Sequence, residues 1–272
     1  MRVTINGQYK AERSVLALGM FDGMHLGHQA LFREAKALAV QSQAPLVACT
    51  FATHPMTLTA PHMCPPMLTT LKERECLMKT MGVDIVYAPV FDEHIMNRRP
   101  ADYIDDLCDR FNPRFVVVGY NYTFGRAALG TPLTLAALGK AYGFETRVTP
   151  RIALGGQEIS SSAIRMMLSR GETLKAMRLL GRPYARYAEL HGGERGVFAL
   201  AFLRDGKQDT PPGLYRVLLS RDHRRVPAAL HLRREERGSA ILSSRLSING
   251  ETEILFIAGK RRMAPSATMP PA

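Results

Sequence analysis

The stretch Ala17-Leu18-Gly19-Met20-Phe21-Asp22-Gly23-Met24-His25-Leu26-Gly27-His28 decides how the chain is read. It continues the apolar run that starts at Val15, and it holds three glycines, one aspartate and two histidines three residues apart. A short continuous apolar run is what a strand covered on both faces requires. Beyond His28, apolar residues recur at Leu31, Ala35 and Leu38, the i, i+4, i+7 spacing of a helix. The stretch therefore marks the point where a buried strand turns into a helix. Three readings of it are open. Asp22, His25 and His28 could face one way as metal ligands. The glycines could form a tight turn with no chemistry. Or the backbone could approach a polyphosphate closely, with the free amides and positive end of the helix at 26–40 and two imidazoles as donors. The phosphate reading accounts for every residue type present.

Outward from this stretch the alternation of strand and helix repeats. Residues 46–51 read as a second strand, and Thr70-Leu71-Lys72-Glu73 is a capping box opening a helix to about Met81. Residues 83–91 read as a third strand, followed by a helix that starts at Pro100 and ends near Phe111. Residues 114–119 read as a fourth strand. Thr131 and Pro132 open a further helix as cap and first residue, and Gly143 ends it. A fifth strand is expected at 144–152, then a two-residue hairpin turn at Gly155-Gly156. A serine-capped helix at 160–171 and a shorter one ending at Gly181 complete this part. The pattern predicts a Rossmann-like, doubly wound parallel α/β sheet over residues 1–185, with any ligand at the carboxyl ends of its strands. After Pro183 the character changes. Residues 197–203, 213–219 and 253–257 read as short strands of a small antiparallel β-barrel-like module at 186–265, and 266–272 as a disordered tail.

Composition bounds the rest. The 272 residues are 46% hydrophobic and 22% charged, as expected of a soluble globular chain able to bury a large core. No apolar h-region opens the sequence and no run approaches membrane-spanning length, so neither a secretion signal nor a membrane partner is expected. Cys49, Cys64, Cys76 and Cys108 have no Cys-x-x-Cys spacing, which suits reduced thiols and a cytoplasmic address. The net charge of +12 is compatible with an anionic partner. Basic pairs occur at Arg224-Arg225 and Arg233-Arg234, and a triplet at Lys260-Arg261-Arg262. No nucleic-acid motif accompanies them, so nucleic acid is not the expected partner.

The opening stretch is neither a Walker loop nor a dinucleotide fingerprint. Its His25-Leu26-Gly27-His28 is the H-x-G-H signature of nucleotidyltransferases. The longer string from Gly19 to His28 resembles the first motif of the bacterial bifunctional FAD synthetases, which join a flavin kinase to an FMN adenylyltransferase. Three further stretches resemble that family in the same order. Thr50 to Pro55 looks like its F-x-P-H-P loop, with Thr53 where proline is usual. The run Val117-Val118-Gly119-Tyr120-Asn121-Tyr122-Thr123-Phe124-Gly125 matches its V-V-G-x-[ND]-[FY]-x-F-G stretch. Ile159-Ser160-Ser161-Ser162-Ala163-Ile164-Arg165 matches I-S-S-T-x-I-R, with Ser162 for threonine. Thr131 after Gly130 departs from a usual aspartate.

The resemblance implies transfer of AMP from ATP to FMN, giving FAD and pyrophosphate, with Mg²⁺ accompanying ATP. It implies that Gly19, Phe21, Asp22, Gly23, His25, His28, Gly119, Ser161, Ser162 and Arg165 bind ATP. Of these His25, His28 and Arg165 would be catalytic. Asn121 would lie near Mg²⁺ and the FMN phosphate, with His54, Pro55, Tyr122 and Phe124 beside the flavin. In the family's kinase module a G-F-P-T-A-N motif carries the metal and nucleotide. The corresponding stretch here, from Gly196, has Leu200 and Phe202 where threonine and asparagine would stand, and no glutamate occurs at 240–244. Apolar side chains cannot coordinate a hard cation, so a degenerate kinase module is expected. Two other readings remain: a nucleotidyltransferase with a different phosphorylated acceptor, and a flavin- or nucleotide-binding regulator using the basic C-terminal module.

Overall fold

A computed structural model of the chain describes residues 2–4, 10–192, 197–203, 205–222, 224–232, 237–242 and 250–261. Arg233, Arg234, Arg262, Gly196, Ser243, Ser244 and the tail at 266–272 lie outside the described residues. The contacts divide the chain into two compact units, Met1–Ile159 and Ser160–Ala272.

In chain order the first unit contains β1 (Arg2–Thr4), β2 (Ser14–Leu18), α1 (Leu26–Gln41), β3 (Leu46–Cys49), α2 (Met56–Thr59), α3 (Leu71–Thr80) and β4 (Ile85–Tyr87). There follow α4 (Glu93–Met96), α5 (Pro100–Phe111), β5 (Pro113–Gly119), α6 (Pro132–Tyr142), β6 (Glu145–Thr149) and the small hairpin β7 (Ala153–Leu154) and β8 (Gln157–Glu158). Six strands form one sheet in the order β1-β4-β3-β2-β5-β6, every pair parallel. The two-residue alternation of a strand explains why β2 is apolar throughout. Val15 and Ala17 join a core layer with Leu31 and Phe32 of α1 and Met78 of α3. Leu16 and Leu18 point the other way, against Ile104 and Leu107 of α5 and Leu135 of α6. The sheet is thus covered on both faces, as a doubly wound fold requires.

The punctuation read from sequence holds. Thr70 forms a reciprocal capping box with Glu73, Thr131 caps α6, and Gly143 ends it with φ of 81°. Gly155 and Gly156 have positive φ, 58° and 77°, at the turn between β7 and β8. Several strands are shorter than expected, with β3 ending at Cys49 and β4 reduced to three residues, because the chain beyond them leaves the sheet to build loops. The N-terminal strand β1 extends the expected five-stranded sheet to six.

The second unit begins with α7 (Ser161–Ser169), capped by Ser160, and α8 (Thr173–Leu180). Six strands follow: β9 (Tyr184–Gly192), β10 (Val197–Phe202), β11 (Gly213–Arg221), β12 (Arg224–Leu232), β13 (Arg237–Leu242) and β14 (Gly250–Arg261). They close into an antiparallel barrel in the order β10-β13-β12-β11-β14-β9, with β9 pairing back onto β10. The sequence announced half of these strands. The expected boundary after residue 185 also differs from the grouping of contacts, which puts α7 and α8 with the barrel. There Thr173 Oγ1 donates to the Ala258 carbonyl of β14 at 2.8 Å. No described helix is long and apolar enough to cross a membrane.

Candidate active site

In the sheet order, β2 is the strand from which the chain first builds outward through β3 and β4, and on whose other side it later adds β5 and β6. The crevice at such a switch point, beyond the carboxyl ends of β2 and β5, is where doubly wound sheets take ligands. Two loops end there: residues 19–25 after β2, and residues 120–125 after β5. A cavity of about 640 Å³ opens between them and the loop after β3.

The loop after β2 is held in a costly shape. Phe21 and Met24 adopt left-handed backbone conformations at φ of 52° and 42°, and Gly23 lies between them at 79°. A non-glycine residue pays roughly 1–2 kcal/mol for such a conformation, so packing must impose it. Phe21 and Met24 are each 1% exposed and locked in the core. Gly19 must be glycine for a different reason, since a Cβ there would lie 2.8 Å from the Phe21 ring. Asp22 supplies the remaining restraint. Its carboxylate accepts hydrogen bonds from the Leu68 and Thr69 amides at 2.9–3.0 Å and from Thr69 Oγ1 at 3.1 Å. Gly23 N donates to the same threonine oxygen at 2.9 Å.

This geometry presents the two imidazoles. His25 is the N-cap of α1, where its Nδ1 accepts a bond from the His28 amide at 3.3 Å. The two rings stack with centroids 3.6 Å apart, and the Phe21 edge meets His28 at 5.4 Å. His28 Nδ1 is buried with no hydrogen-bond partner among the described residues. Burial, then the neighbouring His25, then Arg74 hold its pKa well below the ordinary 6.5. No acidic residue occupies the first turn of α1, so no carboxylate of the helix itself offsets its positive end.

The opposite wall is aromatic. Tyr122 and Phe124 stack at 5.6 Å, and Tyr103 of α5 lies 6.0 Å from Phe124. Burial raises the pKa of both tyrosines, so both hydroxyls stay protonated at neutral pH. The Gly130 backbone packs on the Phe124 ring, and a Cβ at Gly130 would lie 2.7 Å from it. Thr131, the departure from aspartate, caps α6 through its hydroxyl to Thr134 N at 3.2 Å.

The structure brings together one subset of the residues singled out in sequence. Gly19, Phe21 and His28 line the cavity from one side, and Pro55 lines it from the loop after β3. Gly119, Asn121, Tyr122 and Phe124 line it from the end of β5. His25 reaches this group through its stack on His28. Asp22 and Gly23 do not face the cavity, because their polar groups turn toward Leu68 and Thr69. Of these, Asp22 is 2% exposed and acts on the loop rather than on its open side. His54 turns back on its own segment, with Nδ1 accepting from Met56 N at 3.1 Å. Ser161, Ser162 and Arg165 belong to the second unit, on the first turns of α7, where Ser161 and Arg165 share a face four residues apart.

Two residues of the site escaped the sequence reading. Tyr103 lines the cavity from α5. Arg74, 1% exposed, sits among the loops on the inner side of α3. The signal for Arg74 was a cation between Leu71 and Met78 at i, i+3, i+7, a helical face that is otherwise apolar.

Comparison with known proteins gives concordant matches. The FAD synthetase family profile matches residues 7–163. The bifunctional riboflavin kinase/FMN adenylyltransferase of Listeria monocytogenes is 33% identical over 184 residues, which cover 67% of this chain and 58% of that one. The bifunctional enzyme of Escherichia coli is 33% identical over 191 residues, covering 70% and 61%. The match thus spans about three fifths of the length of these two relatives. A second Listeria protein, an FAD synthetase, is 28% identical over 221 residues, 80% of this chain and 89% of that one. Among solved structures, a Streptococcus pneumoniae chain described as a macrolide-efflux protein superposes with a TM-score of 0.87 at 24% identity, covering 98% of this chain and 92% of that one. At that identity the likeness concerns the fold alone.

Proposed function

The chain belongs to the FAD synthetase family, and from that premise we propose that it transfers AMP from ATP to FMN, releasing pyrophosphate and FAD. The observation that carries the proposal is the pairing of two unlike surfaces in one cavity. One side holds His28, stacked on His25 at the start of a 16-residue helix with no acidic residue in its first turn. The other is a stacked aromatic wall of Tyr122 and Phe124. The first suits a triphosphate, the second a large planar ring, and about 640 Å³ lies within the range of small-molecule sites.

In this reading the FMN phosphate attacks the α-phosphorus of ATP in line, and no covalent enzyme intermediate is needed. The protein's work is to align two anions and to absorb the charge that grows on the α-phosphate and the leaving group. His28 offers a ring nitrogen without a partner among the described residues, and His25 fixes that ring by stacking and by capping α1. Arg165, with Ser161 and Ser162, belongs to the same assignment and would add a cation and two hydroxyl donors to the triphosphate. Gly119 leaves space for the adenine at the end of β5.

Mg²⁺ fits this donor set as a cation carried by the phosphates. Among the described residues no cluster of three His, Cys, Asp or Glu could cage a metal, and Mg²⁺ is commonly held through one or two protein oxygens plus substrate phosphates. The Asn121 side-chain oxygen, on the cavity wall, is the protein group that would reach it. Bound there, the cation would supply charge neutralisation to the triphosphate. We also propose that riboflavin kinase activity is lost. Leu200 and Phe202 are 4% and 9% exposed, alternating with outward residues along β10, so they fill the barrel as hydrocarbon.

The testing experiment follows FAD formation from FMN and Mg-ATP, with pyrophosphate release in the same samples. His28→Ala should retain its fold and lose turnover by about a hundredfold, the usual cost of removing one charge-stabilising donor. Unchanged turnover would remove the imidazole pair from the reaction.

A further inference from the structure

Arg74 has no task in the transfer chemistry above, yet its position is expensive. It stands on the inner face of α3, one turn before the fully buried Met78. Burying a guanidinium costs several kcal/mol unless hydrogen bonds compensate. The compensation comes from the fields of the Asp22 and Glu75 carboxylates and from hydrogen bonds to loop atoms. Arg74 Nη1 donates to the Met20 carbonyl at 2.8 Å and to Thr50 Oγ1 at 2.9 Å, and Nη2 donates to the Ala52 carbonyl at 3.2 Å. Thr50 Oγ1 donates in turn to the same Met20 carbonyl at 3.0 Å. Arg74 Nε remains buried with no partner among the described residues.

The acceptors belong to two different loops. Met20 lies in the histidine loop after β2, between Gly19 and Phe21. Thr50 and Ala52 begin the loop after β3 that carries His54 and Pro55. Met20 and Thr50 both line the cavity. A planar fork with separate donors can satisfy all three acceptors at once, whereas an ammonium is a single point of charge.

We propose that Arg74 is a positioning residue for adenylyl transfer, whose guanidinium fixes the separation between the histidine loop and the loop after β3 so that the two substrate phosphates meet in line. The proposal rests on the transfer reading above. Each loop keeps its own contacts to its own substrate, so binding of ATP and of FMN survives loss of the brace. Their mutual alignment does not. A misplacement near 1 Å lowers turnover by about a hundredfold.

The test uses the full chain as wild type, Arg74→Met and Arg74→Lys. For each, kcat and the KM for ATP and for FMN are measured with Mg-ATP, and folding is checked by thermal melting and circular dichroism. The expected order of kcat is wild type, then Arg74→Lys about tenfold lower, then Arg74→Met about a hundredfold lower, with each KM within about threefold of wild type. If Arg74→Met fails to fold, Arg74→Lys alone carries the comparison on the same criterion. Wild-type kcat in the folded variants, or a rise in KM that accounts for the whole loss, overturns the role of Arg74 while leaving the transfer reading standing. Absence of FAD from the wild-type chain overturns the transfer reading, and the proposal with it.

Discussion

At the scale of single residues, His28 is the group whose environment says most. Its ring is desolvated, stacked on His25 and exposed to the field of Arg74, and all three effects favour the neutral imidazole. A neutral ring can donate one hydrogen bond to a phosphate without the permanent repulsion of two adjacent cations. The sign of the pH dependence follows. Below the ordinary 6.5 the unfolded chain binds a proton at this residue while the native chain does not, so stability falls as pH drops from 6.5 toward the lowered native value. Histidine ring resonances followed by NMR should place the His28 midpoint clearly below the ordinary 6.5. A midpoint at or above it would contradict the geometry. Addition of a triphosphate should raise the His28 midpoint, because an adjacent anion favours the charged ring. Asp22 illustrates the opposite case, a polar residue whose position in a motif suggests ligand contact but whose oxygens are engaged in holding a loop. Asp22→Ala would leave the Leu68 and Thr69 amides without that acceptor. We expect a loss of about 2 kcal/mol by chemical denaturation. Unaltered stability would show that the amides find other partners.

At the scale of elements, the sequence was most legible where a residue acts through local geometry alone. The apolar run 15–18 could be read as a buried strand because both faces of β2 meet hydrocarbon. The capping box at Thr70 could be read because its two hydrogen bonds close within four residues. Thr70→Ala should therefore lower stability by about 1 kcal/mol, visible as a drop in melting temperature. No drop would mean that α3 is held by tertiary packing alone. What escaped notice depends on partners distant in sequence. Arg74 reaches back 54 residues to Met20, and Asp22 forward 46 and 47 residues to Leu68 and Thr69. Three-residue β1 carries too little pattern to be recognised as a strand. Strand β9 was hidden for a chemical reason: one of its inward positions is held by Arg186, which interrupts the apolar alternation of Tyr184, Ala188 and Leu190.

At the scale of the whole molecule, the two units solve different problems. The parallel sheet must leave its carboxyl edge open for a site, while the barrel closes every edge on itself. Closure lets the barrel carry a buried cation. Arg186, with 3% of its side chain exposed, pairs with Asp209 and Asp205 and lies 4.6 Å from the centre of the Phe202 ring. Asp205 is mostly buried and Asp209 half exposed, so Arg186→Ala, which removes hydrogen bonds to charged groups, should destabilise the barrel by about 2 kcal/mol. Differential scanning calorimetry should show that loss. An unchanged trace would mean that the cluster contributes nothing net. The same barrel interior holds Leu200 and Phe202, the two apolar residues on which the proposed loss of kinase activity rests. The purified chain with Mg-ATP, given FMN in one reaction and riboflavin in another and resolved for flavin products by chromatography, tests adenylyl transfer and kinase loss at once. FAD from FMN with no FMN or FAD from riboflavin is the result the account predicts. FMN formed from riboflavin would contradict the loss of kinase activity, and absence of FAD from FMN would contradict adenylyl transfer itself.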